Sequence, residues 1–168
     1  MCKSLGLIHG IDRKAGVATL ESMVEHQMNA LTMRPYQRTV LAEGMIADDR
    51  LEDAMASVDR AIEQIERPGW RERSHYAEAL RVKATILELQ GERSQSETCL
   101  QASLTVAREQ QAKSWELRTA TTYARVLDAR GRRGEALELL QPIYDWFTEG
   151  FGTRDLREAK ALLEELGG

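Results

Sequence analysis

The chain has 168 residues, and 82 of them are Ala, Leu, Glu, Arg or Lys, a composition that is typical of a helical protein. Val, Ile and Thr never cluster with a period of two, which excludes a β-sandwich or a β-barrel. The formal net charge is −4 and no apolar stretch is long enough to span a membrane. We therefore expect one all-α domain over residues 1–168, with neither a nucleic acid nor a membrane as partner.

The first predicted element is a helix over residues 11–31 that has no partner helix before it. Its apolar residues recur at helical spacing and form one stripe. The stripe consists of Val17, Leu20, Val24, Met28 and Leu31. Because only about ten residues precede this helix, we expect another copy of the chain or an upstream domain to cover the stripe. The stripe is therefore the candidate self-association surface of a homodimer.

Three predicted helix pairs and a capping helix follow along the chain. The pairs occupy residues 35–66, 71–110 and 114–148, and the last helix occupies residues 154–166. Pro35 suits the first turn of its helix, and the linker 67–70 separates the first two pairs. Pro142 removes a backbone donor from its helix and should kink it or loosen its last turn. Thr153 is a favourable N-cap for the final helix.

A repeat of about 40 residues underlies these pairs. Its breaks are Gly10, Asp49, Gly91 and Gly131, at intervals of 39, 42 and 40 residues. A small residue recurs five positions after each break, and an alanine stands seven positions before each of the last three. Small residues allow two antiparallel helices to approach closely. A glycine at the end of the first helix provides a left-handed cap, and aspartate tolerates the same conformation.

With this register, the units resemble tetratricopeptide repeats (TPR), although their period exceeds the usual 34 residues. The segments 112–118, 146–151 and 155–162 resemble, more narrowly, the C-terminal repeat region of bacterial adenylate/guanylate cyclase or ATPase-type multidomain signalling proteins. The resemblance implies a right-handed TPR-like α-solenoid of antiparallel helix pairs with a C-terminal capping helix. It also implies a non-catalytic signalling module that binds a protein or peptide partner, since neither the cyclase nor the ATPase is in this chain.

The first helix of each pair lines the concave face of such a stack, and the register assigns the positions that would meet a partner. These candidate partner-binding residues are Tyr36, Thr39, Glu43, Glu78, Arg81, Thr85, Glu88, Arg118, Thr121, Arg125 and Asp128. The strip is polar and carries both signs of charge. Its arginines could bind carboxylates of an extended peptide or a partner helix. A merely solvated face is the competing interpretation.

No catalytic motif is visible in the sequence. It contains no phosphate-binding loop, dinucleotide fingerprint or nucleophile elbow, and none of the histidines His9, His26 and His75 has a ligand-spaced partner. We therefore predict that the protein is not an enzyme and uses no metal and no cofactor. Trp115 and Trp146 are expected to pack as core or shoulder residues.

Two alternative functions stay open at this point. One is a small-ligand sensor with its site near His75, Tyr76 and Arg81, and the other is a self-association element that uses the N-terminal stripe. Cys2 and Cys99 form neither a metal-ligand pair nor a disulfide framework. Together with the lack of a visible signal peptide, this cysteine usage predicts a cytoplasmic location.

Overall fold

The computed structural model describes residues 13–26 and 34–167, and every regular element in these ranges is an α-helix. The helices of this part of the chain are α1 Arg13–His26, α2 Arg34–Ala47, α3 Leu51–Glu66, α4 Tyr76–Leu89, α5 Arg93–Glu109, α6 Lys113–Ala129, α7 Arg133–Asp145 and α8 Arg154–Gly167. The expected all-α class is thus confirmed for the described residues. None of these helices is both long and apolar enough to cross a membrane.

Two predicted helices have different limits in the structure. The helix expected over 71–90 begins only at Tyr76, because the preceding segment forms turns: the Tyr76 N–H donates to the Arg73 carbonyl at 3.0 Å, and the Trp70 indole donates to the Glu72 carbonyl at 2.7 Å. The helix expected to end near residue 148 ends at Asp145, one turn after Pro142. Of the first predicted helix, 11–31, only residues 13–26 are described.

The turns inside the three helix pairs share one geometry. Asp49, Gly91 and Gly131 have φ angles of 61°, 83° and 74°, in the left-handed region that the register predicts for them. In each turn the following residue donates its N–H to the carbonyl five positions earlier, at 2.9 Å. This arrangement satisfies carbonyls that the end of a helix would leave without a partner. Gln111, with φ 53°, forms the same turn between α5 and α6, which the sequence did not indicate.

Neighbouring helices pack in a regular order. The most extensive contacts join α2 to α3, α4 to α5 and α6 to α7. In addition, α2 contacts α4, α4 contacts α6, and α6 contacts α8. Six small residues of the register lie where helices meet and are completely buried: Ala42, Ala54, Ala84, Ser96, Ala124 and Ala136. The remaining one, Ala15, is exposed. The size of the six buried residues permits the close approach that the repeat predicts.

The buried side chains form two hydrophobic clusters. One contains Leu20 of α1 with Ile65 and Ile86, and the other contains Leu100 and Leu140 together with the apolar face of α8. The second cluster includes the apolar residues that recur at helical spacing along α8: Leu156, Ala159, Leu162, Leu163 and Leu166. Burial of these stripes leaves the more polar helix faces to form the surface described below.

The described part of the N-terminal stripe is buried within the chain, contrary to the expectation that it is uncovered. Val17, Leu20 and Val24 are 2%, 0% and 5% exposed, because α1 packs against α2 of the same chain and its stripe joins the core. These three residues are therefore corrected from candidate self-association residues to core residues. Met28 and Leu31, the other members of the stripe, lie outside the described residues.

Candidate functional site

Side chains from α2, α4, α6 and α8 surround an open cleft of about 440 Å³. Six residues of the predicted partner-binding strip line it: Glu43, Arg81, Thr85, Arg118, Thr121 and Arg125. Helix α8 adds three charged residues that the sequence analysis did not assign to the site: Arg154, Asp155 and Glu158. The cleft thus brings together residues from four separate helices of the chain.

Four charged side chains form a closed ring of hydrogen bonds at this cleft, here called the ion-pair ring. Arg81 Nη2 donates to Glu78 Oε1 at 2.8 Å and also to Glu43 Oε1. Arg118 Nη2 donates to the same two oxygens, at 2.6 Å to Glu78 and 3.2 Å to Glu43. A further bond of 2.9 Å from Arg81 Nε to Glu78 Oε2 makes the Arg81–Glu78 pair bidentate. The ring therefore ties α2, α4 and α6 together.

Burial and mutual pairing fix the charge states in the ion-pair ring. Glu78 is only 3% exposed and Arg81 only 8%. Burial by itself would raise the pKa of Glu78, but the guanidinium groups of Arg81 and Arg118 outweigh it and hold the pKa below its ordinary value. Burial likewise opposes the charge of Arg81, and the Glu78 and Glu43 carboxylates more than offset it, so its pKa is raised. Glu78 and Arg81 are therefore ionised at neutral pH.

The rim of the cleft is more loosely paired than the ion-pair ring. Arg154 Nε donates to Glu158 Oε1 at 2.6 Å. Arg125 has a half-exposed side chain and approaches Glu158 only to 3.8 Å, with no hydrogen bond to another described residue. Asp155 meets Arg118 Nη1 at 3.4 Å. Pairs of this kind at the surface are weak, so a ligand can replace them at small cost.

The cleft also contains three threonines whose hydroxyl groups are already used as donors. Thr85, Thr121 and Thr122 each donate to the carbonyl four residues earlier, at 3.1, 2.8 and 3.0 Å. Their oxygens keep lone pairs for accepting hydrogen bonds. Among the described residues, none of these hydroxyls forms a hydrogen bond with a histidine or a carboxylate that would activate it as a nucleophile.

A second pocket, of about 400 Å³, adjoins the cleft and is here called the aromatic pocket. Its lining consists of Tyr36, Val40, Glu43, Glu78, Trp115, Arg118, Arg154 and Asp155. His75 supports the two aromatic walls: its ring stacks on Tyr36 with centroids 4.4 Å apart and meets Trp115 edge-on at 5.9 Å. The guanidinium carbon of Arg118 lies 5.7 Å from the centre of the Trp115 ring.

Burial and neighbouring charges shift the pKa values of two side chains at the aromatic pocket. The pKa of the Tyr36 hydroxyl is raised, first by burial and then by the carboxylates of Glu78 and Glu43, with Arg118 acting in the opposite direction. Burial also lowers the pKa of His75 and keeps its imidazole neutral at neutral pH. Within the described part of the chain, the buried Nδ1 of His75 and Nε of Arg118 have no hydrogen-bond partner.

Three members of the predicted strip do not line the cleft or the aromatic pocket. Thr39 is completely buried and donates to the Pro35 carbonyl at 2.9 Å, so it cannot meet a partner and is corrected to a core position. Glu88 is paired with Arg130 at 2.5 Å, away from the cleft. Asp128, near the end of α6, is exposed but lines neither pocket.

Of the residues expected to hold a small ligand, only Arg81 lines the cleft, and neither His75 nor Tyr76 lines the cleft or the aromatic pocket. The His75 ring stacks on Tyr36, and Arg81 belongs to the ion-pair ring. Tyr76 turns toward α3, where its hydroxyl donates to the Glu66 carboxylate. Trp146, expected in the core or at its shoulder, is 58% exposed, and Lys113 lies 5.4 Å from its ring centre.

No arrangement of three or more metal-ligating side chains occurs among the described residues. Comparisons of the chain with protein-family models, with curated proteins and with solved structures find no match. The functional interpretation of the cleft therefore depends on its geometry and on the resemblance in the sequence.

Proposed function

We propose that this protein is a non-catalytic interaction module of a bacterial signalling system, which binds an extended segment of a protein partner in the cleft between α2, α4, α6 and α8. The proposal includes a right-handed TPR-like α-solenoid of antiparallel pairs, with α8 as its cap. The order of helix contacts supports this arrangement, because α2, α4, α6 and α8 follow one another along one side. The resemblance of residues 112–118, 146–151 and 155–162 to signalling arrays supports the cellular role, and the cysteine usage supports a cytoplasmic location.

The observation that carries the proposal is the form of the cleft. It is open, it crosses four helices, and together with the aromatic pocket it offers a continuous polar surface, since Glu43, Arg118, Arg154 and Asp155 line both. The ion-pair ring holds its central side chains in place before any ligand arrives, which reduces the entropy lost on binding. An extended peptide has the length and the polar groups to follow such a surface.

The chemistry of the lining favours binding over catalysis. Its carboxylates and guanidiniums pair with each other, and its hydroxyls donate to helix carbonyls. A reactive site would instead bring a nucleophile, a base and a stabilising donor toward one point.

The proposal is tested with peptides selected from a phage-displayed library of random peptides. Their affinities are measured by fluorescence anisotropy for the parent chain and for two cleft variants, Arg125→Glu and Thr122→Trp. The first variant inverts a rim charge and the second fills the cleft with a bulky side chain. Each is expected to weaken binding by about tenfold or more, corresponding to a loss of about 1.4 kcal/mol.

The matched control is Arg60→Glu, on the exposed face of α3, which changes the net charge by the same amount as Arg125→Glu. It should bind the peptides as the parent chain does, and circular dichroism should show equal helicity for all variants. Selected peptides that bind both cleft variants with unchanged affinity, or a library that yields no binder, would contradict the proposed function.

A further inference from the structure

The aromatic pocket has the two features that bind organic cations. The rings of Tyr36 and Trp115 form its walls, and the carboxylates of Glu43, Glu78 and Asp155 lie in its lining. An ammonium or guanidinium group is attracted to the face of an aromatic ring and to carboxylates at the same time. The pocket volume of about 400 Å³ leaves room for the end of a long side chain.

Two carboxylates of the pocket keep acceptors for a ligand. Glu43 uses the single oxygen Oε1 for its bonds to both Arg81 and Arg118. Asp155 uses Oδ1 for its long contact with Arg118. The second oxygen of each carboxylate accepts no hydrogen bond from the other described residues, and each of these side chains is partly exposed to solvent.

The residues that line the pocket carry one more carboxylate than guanidiniums. The carboxylates are Glu43, Glu78 and Asp155, and the guanidiniums are Arg118 and Arg154. Arg81, which does not line the pocket, pairs with Glu78 and Glu43 and balances the remaining charge. The second oxygens of Glu43 and Asp155, rather than a net charge, are therefore what favours a cation in the pocket.

We propose that the aromatic pocket binds the basic side chain, lysine or arginine, of the partner segment. This inference rests on the proposed function and assigns one residue of the bound peptide to one pocket. The cationic end lies between Tyr36 and Trp115 and donates to Glu43 and Asp155, while its methylene groups contact Val40. A free alkylammonium or alkylguanidinium compound presents the same group, so the test distinguishes the two sources.

Arg154 and Asp155 should affect the binding of a cation in opposite directions. Arg154 and Asp155 are adjacent in the chain, and both line the pocket. Removing the charge of Arg154 should strengthen the binding of a cation, because Arg154 repels it. Removing the charge of Asp155 should weaken binding. A purely structural role of either residue would not produce opposite effects.

The experiment uses three blocked amino acids as probes: the N-acetyl methylamides of lysine, arginine and norleucine. Their binding is followed by the NMR shift of the Trp115 indole N–H, which is assigned with a Trp115→Phe variant. The lysine and arginine probes should give saturable shifts and bind at least about fivefold more tightly than the norleucine probe. Asp155→Asn should weaken binding by about threefold, Arg154→Gln should strengthen it by about twofold, and Arg60→Gln should leave it unchanged.

The same substitutions are made in the library-selected peptides, and their outcome separates this inference from the proposed function. Peptides that bind in the cleft but tolerate replacement of every basic residue by norleucine would overturn the inference and leave the proposed function standing. Probes that bind while no peptide does would support the pocket as a site for free amines and overturn its assignment to a peptide side chain. Equal shifts for the lysine and norleucine probes, or no saturable shift at tens of millimolar, would overturn the cation pocket itself.

Discussion

Glu78 is the residue whose substitution most directly tests the ion-pair ring. Its carboxylate accepts three hydrogen bonds, two from Arg81 at 2.8 and 2.9 Å and one from Arg118 at 2.6 Å. The substitution Glu78→Gln keeps the shape of the side chain but removes its charge. Arg81, which is 8% exposed, then remains in the interior with only Glu43 to balance it.

The expected loss in the free energy of unfolding is about 3–5 kcal/mol, the range observed when one partner of a buried ion pair is removed. Most of this loss is the cost of an incompletely paired buried cation, since surface pairs contribute only about 0–1 kcal/mol. For a chain of this size, the corresponding fall in Tm is roughly 6–20 °C.

Urea unfolding followed by circular dichroism measures the effect, with Glu63→Gln on the exposed face of α3 as the matched control. The control should change the stability by less than about 0.5 kcal/mol. In the double variant Glu78→Gln/Arg81→Met, the buried cation is absent, and the combined loss should be smaller than the sum of the single losses by about 1–3 kcal/mol. A loss below about 1 kcal/mol for Glu78→Gln, or strictly additive losses, would refute the reasoning.

Two further predictions concern backbone conformation and pH. Gly131→Ala should destabilise the protein by about 1 kcal/mol because φ is 74° there, whereas Gly134→Ala, inside α7 with open space around it, should stabilise it by about 0.5–1 kcal/mol. Equal midpoints of urea unfolding for the two variants would contradict this prediction. Because the pKa of His75 is lower in the folded protein, the imidazole is protonated at a higher pH in the unfolded chain than in the folded one. The contribution of His75 to stability is therefore complete above pH 6.5 and is lost as the pH falls through the folded pKa. The chemical shift of the His75 Cε1 proton, followed by NMR against pH, should have its midpoint below pH 6.5, and His75→Phe should remove this part of the pH dependence of stability. A midpoint at or above pH 6.5 would contradict the lowered pKa of His75.

The sequence predicted the parts of the site that depend on local register. Glu43, Arg81, Arg118 and Arg125 were assigned to one face from the repeat, and the structure brings them to one cleft. The sequence did not assign Asp155, because its approach to Arg118 depends on how α8 packs against α6. Within an assigned strip, it also could not separate an accessible position from a buried one such as Thr39.

The sequence by itself determined the all-α class, most of the helix limits and the turns inside the pairs, because composition, apolar spacing and single residues such as Asp49 and Gly131 act over a few positions. It also indicated most of the small residues that lie between helices, although Ala15 of the same register is exposed. Only the tertiary structure decided the charge pairing, since Glu43 and Arg118 are 75 positions apart and meet only after α2, α4 and α6 have packed. The pattern of polar residues along one helix does not specify which residues of other helices they contact. Those contacts depend on how the neighbouring helices pack.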